Sequence, residues 1–179
     1  ASDVYKRQLA NSLDVGDKAI DFSLPDMNKN DVNLYEQLKK NHVILTFYRG
    51  GWCPICNIQL KSYQDNIEQI KKYGAEIIAV SPEIPTKIEL TAIKNKIDFK
   101  VLSDKANQIA DEYGIVWEVP VDSRPDFEQW LVTTTGLTLQ DYNKVSDYKL
   151  PVPATFIINK QGEIVYAFKD VDYKKRASI

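Results

Sequence analysis

The chain has two cysteines, and they lie three positions apart in Trp52-Cys53-Pro54-Ile55-Cys56. A bridge between them would close almost no loop and would add little stability, whereas a disulfide framework spaces its cysteines across the chain. The pair is therefore chemical before it is structural. Its flanks restrict the fold further. Val43-Ile44-Leu45-Thr46-Phe47-Tyr48 is a short β-branched and aromatic run that reads as a buried central strand ending at Arg49-Gly50-Gly51. After the cysteines, Cys56, Leu60, Tyr63, Ile67 and Ile70 recur at spacings of four and three, predicting a helix to about Tyr73, where Gly74 stops it. Cys53 thus stands at the start of a helix fed by a strand.

The rest of the chain keeps alternating strand and helix. Glu76–Ser81 reads as the next strand, and Thr86-Lys87-Ile88-Glu89 as a capping box opening a helix. Phe99–Leu102 predicts a further strand, and Lys105–Tyr113 a short helix closed by Gly114. Val152–Ile158 and Ile164–Phe168 flank the turn Asn159-Lys160-Gln161-Gly162 as a hairpin. Between Ile115 and Leu150 the pattern loosens. Asp126–Leu131 looks helical there, no strand period is visible, and the stretch reads as an insertion near the active face. The expected class is α/β, a central mixed sheet flanked by helices with an N-terminal extension and an insertion before the last hairpin.

With 179 residues, one domain is the default. A net charge of −2, with lysines spread along the chain, offers no basic field for a phosphate backbone, so nucleic acid is not an expected partner. The apolar runs fall far short of the roughly 20 residues that span a bilayer, so no membrane partner is expected either. The expectation is a soluble protein, with the cytoplasm favoured. Asp3-Val4-Tyr5-Lys6-Arg7-Gln8 resembles one reading frame of the transposon end used in sequencing-library preparation. Residues 1–8 are accordingly read as a non-native tail, with the true start missing, and the domain is placed at 9–179.

A thiol at the first turn of a helix faces unpaired N–H groups and the positive end of the helix dipole, which stabilise its thiolate. Cys53 is the expected nucleophile. Pro54 suits the first helical position, where an N–H has no use. Cys56, one turn inward, is placed to attack a sulfur bonded at Cys53 and close an internal disulfide. A structural zinc site needs about four ligands, and beyond the pair there is one histidine. His42 lies at the other end of the strand, roughly 20 Å away. Neither a metal nor a cofactor is expected.

Phe47–Cys56, the earlier Asp21-Phe22-Ser23-Leu24 and the later Val152-Pro153-Ala154-Thr155-Phe156-Ile157-Ile158 together resemble the peroxiredoxin-like proteins grouped with alkyl hydroperoxide reductase and thiol-specific antioxidant enzymes. The likeness covers about residues 15–175. It implies a thioredoxin-like fold, peroxide reduction at Cys53, and electrons from thioredoxin or a similar dithiol donor. Two departures qualify it. That family carries a Pro and a Thr seven and three residues before its attacking Cys, where this chain has Thr46 and Gly50, so the Thr that orients the peroxide is absent. The family also carries an Arg just before the late strand. Here Pro153 stands instead, as in thioredoxin, whose proline is cis and holds a peptide or thiol against the backbone. The resemblance therefore predicts a cis Val152–Pro153 bond and a backbone groove there.

Arg49, four residues before Cys53, could supply the missing cation, or could face solvent. Arg124 could do so if the insertion folds back. Trp52 is expected to pack beside the redox pair. At the other end, Asp172–Arg176 resembles the start of the family's last helix, and an apolar patch is expected on one sheet face. Three activities remain open: a thiol peroxidase, a thioredoxin-like oxidoreductase acting on protein disulfides, and a non-catalytic redox-sensing module.

Overall fold

The computed structural model describes residues 9–170, 172 and 174–178. The expected tail at residues 1–8 lies outside the described residues. A small antiparallel hairpin, β1 (Ser23–Pro25) with β2 (Asp31–Asn33), leads into α1 (Leu34–Leu38), which the Asn33 side chain caps by accepting from the Glu36 N–H. The main sheet follows. β3 (His42–Phe47), β4 (Ala75–Ser81) and β5 (Lys100–Ser103) run parallel; β8 (Ala154–Ile158) lies antiparallel to β3, and β9 (Ile164–Lys169) antiparallel to β8. The order β5-β4-β3-β8-β9 puts β3 at the centre. Helices α2 (Pro54–Asp65), α3 (Ile67–Lys72), α4 (Pro85–Asn95) and α5 (Gln108–Glu112) supply the crossovers. Between α5 and β8 lie β6 (Val116–Glu118), α6 (Arg124–Thr135), α7 (Leu139–Asn143) and β7 (Lys149–Pro151).

Both faces of the sheet are covered, which is why β3 and β4 read as continuous apolar runs rather than alternating ones. Successive side chains still sort to opposite faces. Leu45, Phe47, Ile78, Val80 and Phe156 pack on one side with Phe22, Leu34, Leu38 and Tyr113. Ile77, Ala79 and Val101 pack on the other with Leu60, Tyr63, Ile70, Ile88, Leu131 and both cysteines. The cysteine pair is thus part of a core and not an appendage to it.

Several boundaries differ from expectation. The helix expected to reach Tyr73 breaks at Asn66, whose side-chain amide donates to the Ser62 carbonyl at 2.8 Å and whose backbone leaves the helical region. The Thr86 capping box does not form. Pro85 takes the first helical position, Ile84 becomes the cap residue, and Thr86 falls inside the first turn. Lys105–Tyr113 is divided because Ala106 and Asn107 are left-handed, and α5 begins after them, with the Asp104 carboxylate accepting from Ile109 and Ala110 at 3.0 Å each. The insertion does contain strands: β6 pairs with β7, at three residues apiece too short to display a period.

The Val152–Pro153 bond is trans, which overturns the cis expectation. Pro153 sits just ahead of β8, where no ladder N–H is asked of it, and Val152 donates to the Ile115 carbonyl at 2.6 Å. Both residues are buried. A buried trans segment tied to Ile115 offers no open backbone groove for a peptide.

The apolar patch on the sheet is present as a groove of about 300 Å³ lined by Ile44, Tyr63, Ile70, Tyr73, Ile157 and Tyr166. Asp172 and Lys174–Arg176 are not helical; the Lys175 N–H closes a turn onto the Asp172 carbonyl. Among the described residues no helix is long and apolar enough to cross a membrane.

Candidate active site

Cys53 is the N-cap of α2, with extended backbone, and Pro54 occupies the first helical position. Its own N–H is used by the Gly50 carbonyl at 3.1 Å, which closes the turn between β3 and α2. The Cys53 sulfur faces the helix start and accepts from the Cys56 N–H at 3.4 Å and from the Cys56 thiol at 2.7 Å. Both cysteines are free thiols, and both are buried. This is an N-cap in which sulfur replaces the usual oxygen.

The two thiols differ electrostatically. The hydrogen bond from Cys56 lowers the Cys53 pKa most; the Cys56 N–H and the charges of Arg49 and Arg176 add to it against the opposing effect of burial, bringing Cys53 to about 6. Burial, followed by the bond and charge of Cys53, pushes Cys56 well up. One sulfur is the more readily ionised of the two, and the other is held as a thiol.

Arg49 does not face solvent. It is 7% exposed, and its guanidinium lies over the Trp52 ring, 5.0 Å from the centroid. Trp52 is buried in turn, edge-on to Phe127 and Trp130 of α6, so the insertion roofs the turn that carries the cysteines. The same ring explains Gly50. A Cβ at that position would come within 2.3 Å of the Trp52 Nε1, so the indole fills the space that a side chain at position 50 would need. Arg124 is engaged elsewhere, donating to the Val119 carbonyl and Glu118 and stacking on Tyr148. His42 begins β3 opposite Ala75, at the far end of the strand from Cys53.

Two participants were not singled out from the sequence. Glu83, fully buried just after β4, accepts from the Gly51 N–H at 3.1 Å, Ser81 Oγ at 3.1 Å, Thr91 Oγ1 at 3.3 Å and Tyr142 OH at 2.7 Å. It ties the turn before Cys53 to β4, α4 and the insertion at once. Asn57 holds the other side of Gly51 by donating to its carbonyl at 2.8 Å. A Cβ on Gly51 would meet Thr91 Oγ1 at 2.1 Å, so any side chain there would have to displace the hydroxyl that donates to Glu83. The available signal for Glu83 was its place at the carboxyl end of a strand parallel to the one feeding the cysteines. The second participant is Arg176, whose Nη2 donates to the Cys56 sulfur at 3.4 Å. No local pattern marks it, because only tertiary folding brings residue 176 to residue 56.

The pattern of the AhpC/TSA family matches residues 15–167. The chain belongs to the AhpC/TSA family. It is 28% identical to peroxiredoxin Bcp of Escherichia coli K12 over 160 residues, covering 89% of this chain and 88% of that protein. It is 31% identical to the chloroplastic peroxiredoxin Q of Gentiana triflora over 125 residues, 68% of this chain and 55% of that protein. Peroxidoxin BcpB of Mycobacterium tuberculosis shares its fold at a TM-score of 0.70 and 19% identity, with 88% of this chain and 86% of that one covered. The five-stranded mixed sheet is that of the thioredoxin-like peroxiredoxins, and this AhpC/TSA protein is a thiol-dependent peroxidase.

Proposed function

We propose that the protein reduces hydrogen peroxide or organic hydroperoxides, with Cys53 attacking and Cys56 resolving. The observation that carries this assignment is the asymmetry of the pair: one sulfur capped by the helix start and brought to about 6, its neighbour held well up. The Cys53 thiolate attacks one peroxide oxygen and breaks the O–O bond, leaving Cys53 as sulfenic acid and releasing an alkoxide or hydroxide that takes a proton. Cys56, as thiolate, then attacks the Cys53 sulfur, a disulfide forms, and hydroxide leaves to become water. A dithiol donor of the thioredoxin type restores both thiols. Residues 9–179 act as one unit in this cycle, because the helix start, the insertion and the segment carrying Arg176 converge on the two sulfurs. The cycle is placed in a reducing compartment such as the cytoplasm, where a dithiol donor returns both cysteines to thiols.

Arg49 is the cation nearest the peroxide in this proposal. Its charge favours the Cys53 thiolate and would hold the departing oxygen. Trp52 and Pro54 shape the turn, and the buried Val152-Pro153 segment stands just ahead of β8. With that segment trans and buried, Pro153 lends no support to protein-disulfide exchange, and the family match favours peroxide chemistry.

The pH dependence of the first attack tests this. A thiol with its pKa near 6 is ionised above that value, so the rate should be on a plateau at neutral pH, halve near pH 6, and fall about tenfold per unit below it. A rate still rising through about pH 8.5, as for an ordinary cysteine, would contradict the assignment. In Arg49→Met the plateau should drop by at least about tenfold and the midpoint should move up, since a charge that favours the thiolate is lost.

A further inference from the structure

Resolution needs Cys56 as an anion, yet its sulfur is fully buried, where no water can solvate a thiolate. A buried anion requires a cation or donors in contact with it. Beside the Arg49 N–H, the charged contact is Arg176, with Nη2 at 3.4 Å from the Cys56 sulfur and Nη1 steadied by the Lys175 carbonyl at 2.9 Å. Among the described residues no carboxylate pairs with this guanidinium, and its buried Nε has no hydrogen-bond partner. Among the described residues its charge thus has no acid partner, unlike that of Arg124, which is paired with Glu118.

We propose that Arg176 is a third catalytic residue, whose guanidinium holds the Cys56 sulfur as the thiolate that attacks the Cys53 sulfenic acid. The inference rests on the roles proposed above for the two cysteines. The order of events gives it force. In the resting site, burial most of all, and then the bond and charge of Cys53, hold Cys56 in its thiol form. Once peroxide has converted Cys53 to a neutral sulfenic acid, its bond and charge no longer oppose ionisation, and the Arg49 N–H and the Arg176 guanidinium in contact with the sulfur are left to offset burial. Cys56 then ionises, its sulfur bonds to the Cys53 sulfur, the S–O bond breaks, and the hydroxide that leaves takes up the proton Cys56 gave up. The guanidinium also stabilises Cys56 as the leaving thiolate when a donor dithiol later opens the disulfide. At the first attack the charge of Arg49 acts on Cys53 with a smaller contribution from Arg176, whereas at resolution the guanidinium in contact with the Cys56 sulfur is that of Arg176.

The test separates the two steps in a single turnover. Reduced protein is mixed with one equivalent of hydrogen peroxide, sulfenic acid is trapped with dimedone at timed intervals, and disulfide is counted by mass spectrometry. Arg176→Met should form sulfenic acid within about threefold of the wild-type rate but close the disulfide at least about tenfold more slowly, as for loss of one charged donor at a reacting atom. Arg176→Lys, which keeps the charge, should recover most of the lost rate. Disulfide closure at the wild-type rate in Arg176→Met would overturn the proposal, and so would equal slowing of both steps or an Arg176→Lys variant as slow as Arg176→Met. If Arg176→Met does not fold, the Arg176→Lys comparison with wild type and Arg176→Gln decides by the same split. Should wild type form no sulfenic acid, the peroxidase reading fails by itself. Dithiodipyridine then substitutes for peroxide, with Cys53 taking the first pyridyl group and Cys56 expelling it, and the second release must slow in Arg176→Met for the proposal to stand.

Discussion

Cys53→Ser is expected to lower peroxide turnover by at least about 10³-fold, the scale of loss when a nucleophile is removed. Cys56 cannot substitute for it, because its sulfur lies fully buried one turn inside α2 and the helix start faces position 53. Cys56→Ser should behave differently: one equivalent of peroxide is consumed and the protein then stalls as sulfenic acid, open to further oxidation. Its first attack should also weaken at neutral pH. The largest influence lowering the Cys53 pKa is the bond from the Cys56 thiol, so its loss should shift the midpoint up from about 6, with a serine hydroxyl restoring part of the effect. Timed peroxide consumption with mass spectrometry distinguishes these outcomes. Equal loss of the first attack in both variants would contradict the division of labour.

Glu83→Leu should cost about 3 kcal/mol or more of stability, since each buried donor left without its acceptor costs about 1–3 kcal/mol. Four donors converge on that carboxylate, from Gly51, Ser81, Thr91 and Tyr142, and the side chain is fully buried, so water cannot replace what is lost. Glu83→Gln retains the shape and one acceptor oxygen but turns an amide toward donors, so it should fall between Leu and wild type. Chemical denaturation at pH 7 reads both. A Glu83→Leu protein within about 1 kcal/mol of wild type would show that the four hydrogen bonds contribute little net stability. The loss should not be silent at the site either. Gly51 is held on its N–H by Glu83 and on its carbonyl by Asn57, and it lies two residues from Cys53. Freeing one side loosens the turn that sets the cap.

Sequence pattern carried the fold as far as local signals reach. The run Val43–Tyr48, the cysteines and the apolar spacing after them define a strand feeding a helix start, and the structure has that unit as β3 and α2. The alternation beyond it forms the five-stranded sheet. What failed was decided by single side chains bonding locally or by tertiary pairing. Asn66 breaks a helix whose apolar period runs on unbroken, Pro85 moves a helix start two residues ahead of a well-formed box, and β6 finds β7 across the insertion. The trans Val152–Pro153 bond shows the limit of carrying one relative's proline to another's segment. At the site, both cysteines and Trp52 were legible because they are neighbours in the chain. Arg49 was legible as a candidate but not as buried, since its place depends on stacking against Trp52 under the roof of α6. Glu83 and Arg176 stand 30 and 123 residues from Cys53 by their numbering, and only the packed sheet brings them in.

The most direct measurement is the mass and connectivity of the reduced protein after one equivalent of hydrogen peroxide. The expected result is a monomeric chain lighter by two hydrogens, with a single disulfide joining Cys53 to Cys56, formed through a dimedone-trappable species at Cys53 and reversed by a dithiol. A chain left fully reduced under these conditions, or one first oxidised at Cys56, would contradict the account.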